Sequence, residues 1–279
     1  MGATSTTGPG APSGKPSPGA GPSQEEQGIL RRLSRSVDVP SSLLAVAIAI
    51  ALYRFIDWSQ VGALDFGIVL KYWRPLTVAA GMTILITFSA LALGLLLGVS
   101  LAVLELSFRP TRYIINAYIE IWRNTPLIVQ LFWIHFGLPF VTGISTTALE
   151  SGLLALTLQS SAYLADIARA GIQAVPRGQW DAVMALSLPV RTKWFEVILP
   201  QALKIMIPPL GNLAVSFLNG SALLGVLSVG ELMTVSSKIS DYTSRPVEIM
   251  TVTALLYLAI NLFTGHLTSR LERFAGRRS

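Results

Sequence analysis

The sequence contains no cysteine, only two histidines, His135 and His266, and only 13% charged residues among its 279. The lack of cysteine excludes disulfides, thiol chemistry and cysteine-based metal sites, and two separate histidines do not make a ligand cluster for a histidine-based site. Since about a quarter of the residues in soluble domains are charged, the composition also excludes an ordinary soluble domain. Apolar residues are abundant instead: 52% are hydrophobic, and the mean hydropathy is +0.58.

Several apolar segments approach the ~20 residues that a helix needs to cross a bilayer. We therefore predict an all-α membrane protein with about six transmembrane helices. The second segment carries Gly94 and Gly98, a small-xxx-small spacing that lets another helix approach closely. In the third, Thr125 is predicted to cap a helix that restarts at Pro126. The six predicted spans are 42–56, 78–106, 113–139 (interrupted at 123–126), 147–172, 207–229 and 247–266.

The connections between these spans differ in their content of Lys and Arg. One side receives thirteen of these cations and the other only four, and cytoplasmic connections are the ones enriched in Lys and Arg. Both termini and the 173–206 segment are therefore predicted to be cytoplasmic. This topology accounts for the pI of about 9.8, so a nucleic-acid partner is not needed to explain it. The four cations on the other side are Lys71, Arg74, Lys238 and Arg245.

The 173–206 segment is too long for a simple turn between two spans, and its pattern is helical. After Gly178, apolar Trp180, Val183 and Met184 recur at helical spacing, and Asp181 lies in the first turn, where the helix dipole favours an anion. A second helix is predicted over 192–199, capped by Thr192 and ended by Pro200. Such a pair of short helices would form a compact docking surface. The face of Trp180, Val183 and Met184 either packs on its own loop or contacts a partner, and we favour the partner.

Four stretches of the chain, in order, resemble the permease subunits of ATP-binding-cassette (ABC) importers for polar amino acids. The cytoplasmic signature of that family, the EAA motif, is matched by Asp181-Ala182-Val183, Ser187 and Ile198-Leu199-Pro200. The other three matching stretches are 123–132, 161–179 and 208–212. The resemblance implies a type I ABC importer permease fold with a cytoplasmic coupling helix that fits into the ATPase subunit. The coupling residues it implies are Gly178, Gln179, Trp180, Asp181, Ala182, Val183, Met184, Ser187, Leu199 and Pro200.

The sequence also departs from the family pattern. Val183 replaces an alanine and Ser187 a glycine of the motif, and Asn124 replaces a glycine in the 123–132 stretch. The charged pair of the family's Lys-Asp-Thr-Ser-Leu stretch is missing from 219–223, which reads Asn-Gly-Ser-Ala-Leu here. Ser187 is therefore expected to alter the turn after the coupling helix.

The domain organisation follows from composition and resemblance together. Residues 1–35 are predicted to be a disordered cytoplasmic tail, since Gly, Pro and Ser dominate residues 1–28. An extra N-terminal transmembrane helix and its connection are predicted over 36–75. The ABC permease transmembrane domain is predicted over 76–272 and a basic cytoplasmic tail over 273–279.

The resemblance implies a multi-pass subunit of a bacterial plasma (inner) membrane that moves amino acids into the cytoplasm and is not itself an enzyme. It has no catalytic, cofactor or metal site of its own; ATP and Mg²⁺ are bound by two copies of a cytoplasmic ATPase. The other implied partners are a second permease subunit, identical or homologous, and an extracytoplasmic amino-acid-binding protein. The alternative is a secondary transporter driven by an ion gradient, but the break at 125–126 has no counterpart in a second half.

Polar residues inside the predicted spans are candidates for the substrate path, although they also join helices to one another. Asp166 and Arg169, like Glu120 and Arg123, are spaced i, i+3 and predicted to form ion pairs. Because these charges compensate each other, neutral polar amino acids are the favoured substrates. Glu105 and Glu231 are expected at solvated span ends, and His135 is expected to pack among aromatic side chains. The substrate-path candidates are Gln130, Gln159, Ser160, Ser161, Tyr163, Asn212, Asn219 and Ser221.

Overall fold

The computed structural model describes residues 43–48, 50–51, 53–54, 56–108 and 110–276. The predicted tail over 1–35 lies outside the described residues, as do 36–42 and 277–279. The chain divides into two compact units, 1–63 and 64–279. In the first unit, the described residues between 43 and 54 are helical, and helix α1 (Trp58–Gly62) begins at Asp57, whose carboxylate accepts a hydrogen bond from the Ser59 amide.

The second unit is built from helices that follow one another with short connections. Helix α2 (Gly67–Ser107) accommodates Pro75 in its interior and therefore crosses the predicted domain boundary at 75/76. Helix α6 (Ala148–Gln173) begins at a capping box in which Thr147 and Glu150 satisfy each other's amides. The helices are α2 (Gly67–Ser107), α3 (Thr111–Asn124), α4 (Leu127–Phe132), α5 (Leu138–Thr142), α6 (Ala148–Gln173), α7 (Arg177–Ala185), α8 (Val190–Thr192), α9 (Leu199–Gly220), α10 (Leu232–Thr243) and α11 (Pro246–Gly276).

Three helical stretches in the described part of the chain are long and apolar enough to cross a membrane: Gly67–Leu106, Val190–Leu227 and Pro246–Phe274. A fourth span results if Thr111–Asn124 and Leu127–Thr142, bent by 106°, are counted together. This bend confirms the predicted interruption of the third span. The first predicted span lies partly outside the described residues, so the count of six stays a prediction.

The predicted cap at the bend is wrong. Thr125 is extended and α4 begins after Pro126 without a side-chain cap, because a residue that precedes proline is displaced from the helical region. Gln130 closes the bend instead: its side-chain amide donates to the carbonyls of Trp122 and Thr125, each at 2.9 Å. The carbonyls freed at the end of α3 thus keep hydrogen-bond partners.

Helices α2 and α6 form the centre of the unit and cross with their backbones very close. A Cβ atom added at Gly98 would lie 2.6 Å from the Ser161 carbonyl oxygen, and one added at Gly94 would overlap the Ser160 hydroxyl. Only glycine permits this approach, which confirms the expectation from the small-xxx-small spacing. Because other helices surround α6, it keeps polar side chains along the 147–172 segment that was predicted as a span.

The predicted end of a helix at Pro200 is wrong as well. After α8, a π-helical stretch (Lys193–Ile198) leads directly into α9, and Pro200 lies in the first turn of α9. Because the helix is continuous through this point, Pro200 removes one backbone hydrogen bond there without ending the helix. Further along, Pro208 and Pro209 lie inside α9 and remove two of its internal hydrogen bonds.

Beyond α9, a 3₁₀ helix (Ser221–Leu227) and α10 fold back against the long helices. The amide of Leu232 donates to the Thr83 hydroxyl of α2 at 3.0 Å. The Glu231 carboxylate caps α10 through the Met233 and Thr234 amides and accepts from the Tyr257 hydroxyl at 2.9 Å. Glu231 is fully buried, so its predicted place at a solvated span end is wrong.

Candidate coupling helix and translocation path

Helix α7 contains the residues that match the EAA motif, and it ends in a closed turn. The Leu188 amide donates to the Val183 carbonyl at 3.2 Å, and the Ser187 amide donates to the Met184 carbonyl at 3.1 Å. These two bonds form a Schellman motif. Its left-handed position is occupied by Ser187, with φ of 48°, where the family motif has glycine. Serine here adopts the conformation that glycine favours, and the expected effect of Ser187 on the turn stays a prediction.

The apolar face predicted on α7 divides into a packed and an exposed part. Val183 is only 3% exposed, and the Trp180 ring packs edge-on against Trp194, with centroids 5.7 Å apart. Lys193 places its Nζ 5.2 Å from the centre of the Trp180 ring. Trp180 and Val183 thus attach α7 to the following segment, and only Met184 of the predicted face remains exposed.

An apolar patch nevertheless covers the outside of this segment. Met184, Leu186 and Val190 are 69%, 70% and 72% exposed. The sequence argument missed Leu186 and Val190, because they lie beyond the helical repeat, in and after the turn at Ser187. We call Met184, Leu186 and Val190 the α7 patch.

The remaining predicted coupling residues lie on both sides of this patch. Gly178, Gln179, Asp181 and Ala182 are exposed on α7, whereas Leu199 and Pro200 begin α9. The two helices are linked by a hydrogen bond of 3.2 Å from Gln201 Nε2 to Gln179 Oε1. The structure therefore brings the α7 residues together on one surface and joins them to the base of α9.

A charged cluster connects α2, α3 and α6. Asp166 pairs with Arg169 at 2.5 Å, as predicted, and also with Arg123 at 2.6 Å. The predicted Glu120–Arg123 pair is wrong, since Asp166 of the neighbouring helix holds Arg123. Arg169 also contacts Glu105 at 3.5 Å.

Two acidic residues of this region differ from expectation. Glu105 was expected at a solvated end, but its side chain is 4% exposed, and Arg112 also pairs with it, at 3.6 Å. Glu120 instead accepts a hydrogen bond from the Asn124 side chain.

His135 packs edge-on against Phe136 and hydrogen-bonds Ser151 through Nδ1 at 2.8 Å.

Five of the path candidates form contacts between elements of the fold. Gln130 closes the α3–α4 bend, and Ser160 donates to the Ala90 carbonyl of α2 at 3.1 Å. Ser161 hydrogen-bonds the Tyr118 hydroxyl at 2.6 Å. The Tyr163 ring lies 5.2 Å from the Arg123 guanidinium and packs against Phe217, and the buried Ser221 hydroxyl donates to the Leu218 carbonyl at 2.7 Å.

The other three candidates are placed differently. Gln159 is buried in α6, whereas Asn212 and Asn219 are exposed on α9. Asn219 Oδ1 accepts from Asn261 of α11 at 2.8 Å. Together with the exposed Ser216, Asn212 and Asn219 make an i, i+4, i+7 stripe along one face of α9. Ser216 was missed, although its spacing from Asn212 and Asn219 was visible in the sequence.

A polar stripe on a helix apolar enough to span a membrane, beside a surface helix joined to its base, is typical of a helical subunit of a membrane transporter. Comparison with known proteins specifies the class. The model of the family "binding-protein-dependent transport system inner membrane component" matches residues 94–276, and the chain belongs to this family.

Curated relatives agree with the family assignment. A probable glutamine ABC transporter permease protein, GlnM of Bacillus subtilis, is 36% identical over 196 residues, which cover 68% of this chain and 90% of the relative. The arginine transport system permease protein ArtQ of the same organism is 30% identical over 75% of this chain and 96% of its own length. The glutamate/aspartate import permease protein GltK of Escherichia coli is 33% identical over 69% of this chain and 89% of its own.

Solved structures show the same fold. The chain superposes on a crystal structure of an amino acid ABC transporter with a TM-score of 0.71 at 36% identity, covering 76% of this chain and 99% of the other. An inward-facing MetNI methionine ABC transporter gives a TM-score of 0.63 at 19% identity, covering 72% and 96%, which supports the fold alone. The chain is thus the membrane-spanning permease subunit of an ABC importer, a family that works with an ATPase and a substrate-binding protein.

Proposed function

We propose that this permease moves amino acids into the cytoplasm across a bacterial plasma membrane, with both termini on the cytoplasmic side. Its partners in this proposal are two copies of a cytoplasmic ATPase, a second permease subunit and an extracytoplasmic binding protein. The names of the relatives support amino acids as the substrate class, since they refer to glutamine, arginine and glutamate/aspartate transport. The excess of Lys and Arg in the 173–206 segment and at the termini supports the orientation.

The observation that carries the coupling role is the α7 patch. Helix α7 lies outside the spans, so no bilayer covers Met184 and Leu186, and Val190 is at the very start of the stretch Val190–Leu227. The turn at Ser187 holds the three side chains in a fixed arrangement. An ATPase cleft with an apolar floor would bury this patch, and Asp181 at its edge would pair with a cation there. ATP and Mg²⁺ belong to that ATPase.

Movement of α7 has a direct connection to the substrate path. The π-helical stretch continues into α9 without a loop, and α9 carries the polar stripe of Asn212, Ser216 and Asn219. ATP-driven closure of the ATPase dimer would displace α7, and α9 would move with it. The subunit thereby converts energy from its partner into alternating access.

Neutral polar amino acids are the proposed substrates. A site for a charged side chain needs an available opposite charge, because an uncompensated charge in a dry site is costly. Asp166 and Glu105 are both paired with arginines, and the buried Glu231 is saturated by amide and hydroxyl donors. No exposed charge interrupts the stripe of α9 between Asn212 and Asn219.

Co-purification tests the coupling role. The Leu186→Glu variant should lose the ATPase during purification in detergent, because it places a charge in the patch that the ATPase would bury, and Leu186→Met should retain it as the matched control. Asp181→Lys should weaken the complex as well. If Leu186→Glu keeps both the ATPase and full ATP-dependent uptake, the α7 patch is not the docking surface.

Uptake by the reconstituted complex tests the substrate and the driving force. Proteoliposomes should accumulate glutamine only with internal ATP, and ionophores that dissipate ion gradients should have no effect. Robust arginine uptake with no glutamine uptake would contradict the substrate assignment. Uptake that needs an ion gradient and no ATP would instead support the secondary transporter.

A further inference from the structure

A cavity lies between the 3₁₀ helix Ser221–Leu227 and α10, apart from the coupling surface. Its volume is about 430 Å³, and its wall combines apolar Leu223 with the hydroxyls of Ser228 and Thr234 and the charged Lys238 and Asp241. Sites for small molecules are typically ~300–1,000 Å³, mostly apolar and furnished with a few polar groups. The cavity has the size and the composition of such a site.

Lys238 and Asp241 are spaced i, i+3 on α10. Among the residues that the structure describes, neither of them forms an ion pair. At the same spacing, Asp166 and Arg169 pair at 2.5 Å. Both Lys238 and Asp241 contribute to the wall of the same cavity. One cation and one anion are therefore available to a ligand in this cavity.

The cavity follows α10 from the interior of the bundle toward the predicted outer side. Helix α10 begins at Leu232, whose amide contacts Thr83 of α2. Thr83 lies sixteen residues, or about 24 Å, from Gly67, the predicted outer end of α2. Near this deep end, Glu231 holds the Thr234 hydroxyl at 2.7 Å. Lys238 and Asp241 lie one to two turns further out, on the side that a substrate enters.

We propose that this cavity is an entry site that holds the backbone of a zwitterionic α-amino acid. Lys238 binds the α-carboxylate and Asp241 the α-ammonium, while the apolar wall beside Leu223 and the hydroxyls of Ser228 and Thr234 accommodate the side chain. The inference rests on the proposed function, because it names the groups that recognise the substrate on its way in. Recognition of the backbone charges alone explains how a path without further charges accepts neutral amino acids.

The absence of cysteine from the chain makes a direct test simple. Ser237, which also lines the cavity, is replaced by cysteine in the complete complex, and the rate of its modification by a charged methanethiosulfonate reagent is measured with and without glutamine. Glutamine should slow the modification. Adding Lys238→Met or Asp241→Asn should raise the glutamine concentration for half-protection at least about tenfold, since each removes one charge-assisted hydrogen bond.

Controls separate this site from other roles of the same surface. Lys71→Met, which removes an exposed cation from the same predicted side, should leave the protection unchanged. Glutamine analogues without the carboxylate or without the amine should protect poorly. A loss of ATPase stimulation by the loaded binding protein in Lys238→Met, with glutamine protection intact, would show that Lys238 docks the binding protein instead and would overturn the inference.

The two proposals fail in different ways. If the wild-type complex imports glutamine but glutamine does not protect the cysteine, the entry site is refuted and the transport function stands. If the wild-type complex imports no amino acid at all, both are refuted.

Discussion

Replacement of Ser187 by glycine should make the end of α7 more stable. Ser187 has φ of 48°, and a left-handed conformation costs an L-amino acid about 1–2 kcal/mol. Glycine adopts it freely but loses about 0.5–1 kcal/mol more in backbone entropy on folding. The difference leaves a gain of up to about 1.5 kcal/mol with a midpoint of about 0.75 kcal/mol, which corresponds to about a three- to fourfold change in the equilibrium for opening the turn.

Hydrogen exchange followed by mass spectrometry measures this equilibrium in the purified complex. The amides of Ser187 and Leu188 are the ones held by the Schellman motif, so peptides covering them should exchange about three- to fourfold more slowly in Ser187→Gly. Ser187→Val should exchange faster, because a β-branched side chain is the most strained in this region. Ala185→Gly, inside the helix two residues earlier, should also exchange faster by the usual cost of ~1 kcal/mol for glycine.

Two glycine substitutions only two residues apart, Ser187→Gly and Ala185→Gly, are expected to change the exchange rate in opposite directions. If Ser187→Gly speeds exchange, or if it behaves like Ala185→Gly, the backbone of this turn is not left-handed and the account of the EAA-motif serine is wrong. If exchange slows as expected while the ratio of ATP hydrolysed to amino acid imported falls, the serine loosens coupling by permitting the turn to open.

Three further substitutions test the packing by thermal unfolding of the purified complex. Gly98→Ala should destabilise the complex by about 1–3 kcal/mol, since the new Cβ would lie 2.6 Å from a carbonyl oxygen of α6. Gly81→Ala is the control, because the space around Gly81 is open. If Gly81→Ala destabilised the complex as much as Gly98→Ala, the close crossing of α2 and α6 would be contradicted. Asp166→Asn should lower the free energy of unfolding by about 1–3 kcal/mol, because it removes the carboxylate shared by two arginines. Arg112→Gln should lower it by less than about 1 kcal/mol, because the Arg112 side chain is 62% exposed. A larger loss for Arg112→Gln than for Asp166→Asn would refute the charged cluster. Gln130→Leu should cost about 1–3 kcal/mol through the two freed carbonyls, and an unchanged melting temperature would show that the bend does not depend on it.

Much of the helical framework could be predicted from local chemistry. The apolar runs indicated spans, the glycine spacing at 94 and 98 indicated a close crossing, and the proline at 126 indicated a break. Each of these signals acts within a few residues, so the sequence alone reveals it. Glu105 and Arg123 were misplaced because their partners, Arg169 and Asp166, come from other helices, and no local spacing reveals them. Pro200 was misjudged because its effect depends on the register of the helix that contains it.

The candidate site was predictable to a smaller degree. The EAA-like residues identified α7, but the helical repeat could not show that Trp180 would pack against Trp194 or that the chain would turn at Ser187 and expose Leu186. Ser160 and Ser161 were plausible path residues by polarity, yet the Ser160 hydroxyl bonds the Ala90 carbonyl of α2 and the Ser161 hydroxyl bonds Tyr118 of α3. Burial decides between these roles, and burial is a property of the assembled helices.

The pair Pro208 and Pro209 divides α9 into a lower arm, joined to α7, and an upper arm that carries the polar stripe. A straight helix of this length would act as a stiff rod about 33 Å long and would pass every displacement of its base to its top. With two backbone hydrogen bonds missing at one level, the rod has a joint there. In the proposed coupling, a displacement of the lower arm would therefore arrive at the stripe as a change of angle between the arms, and this change would open or close the path.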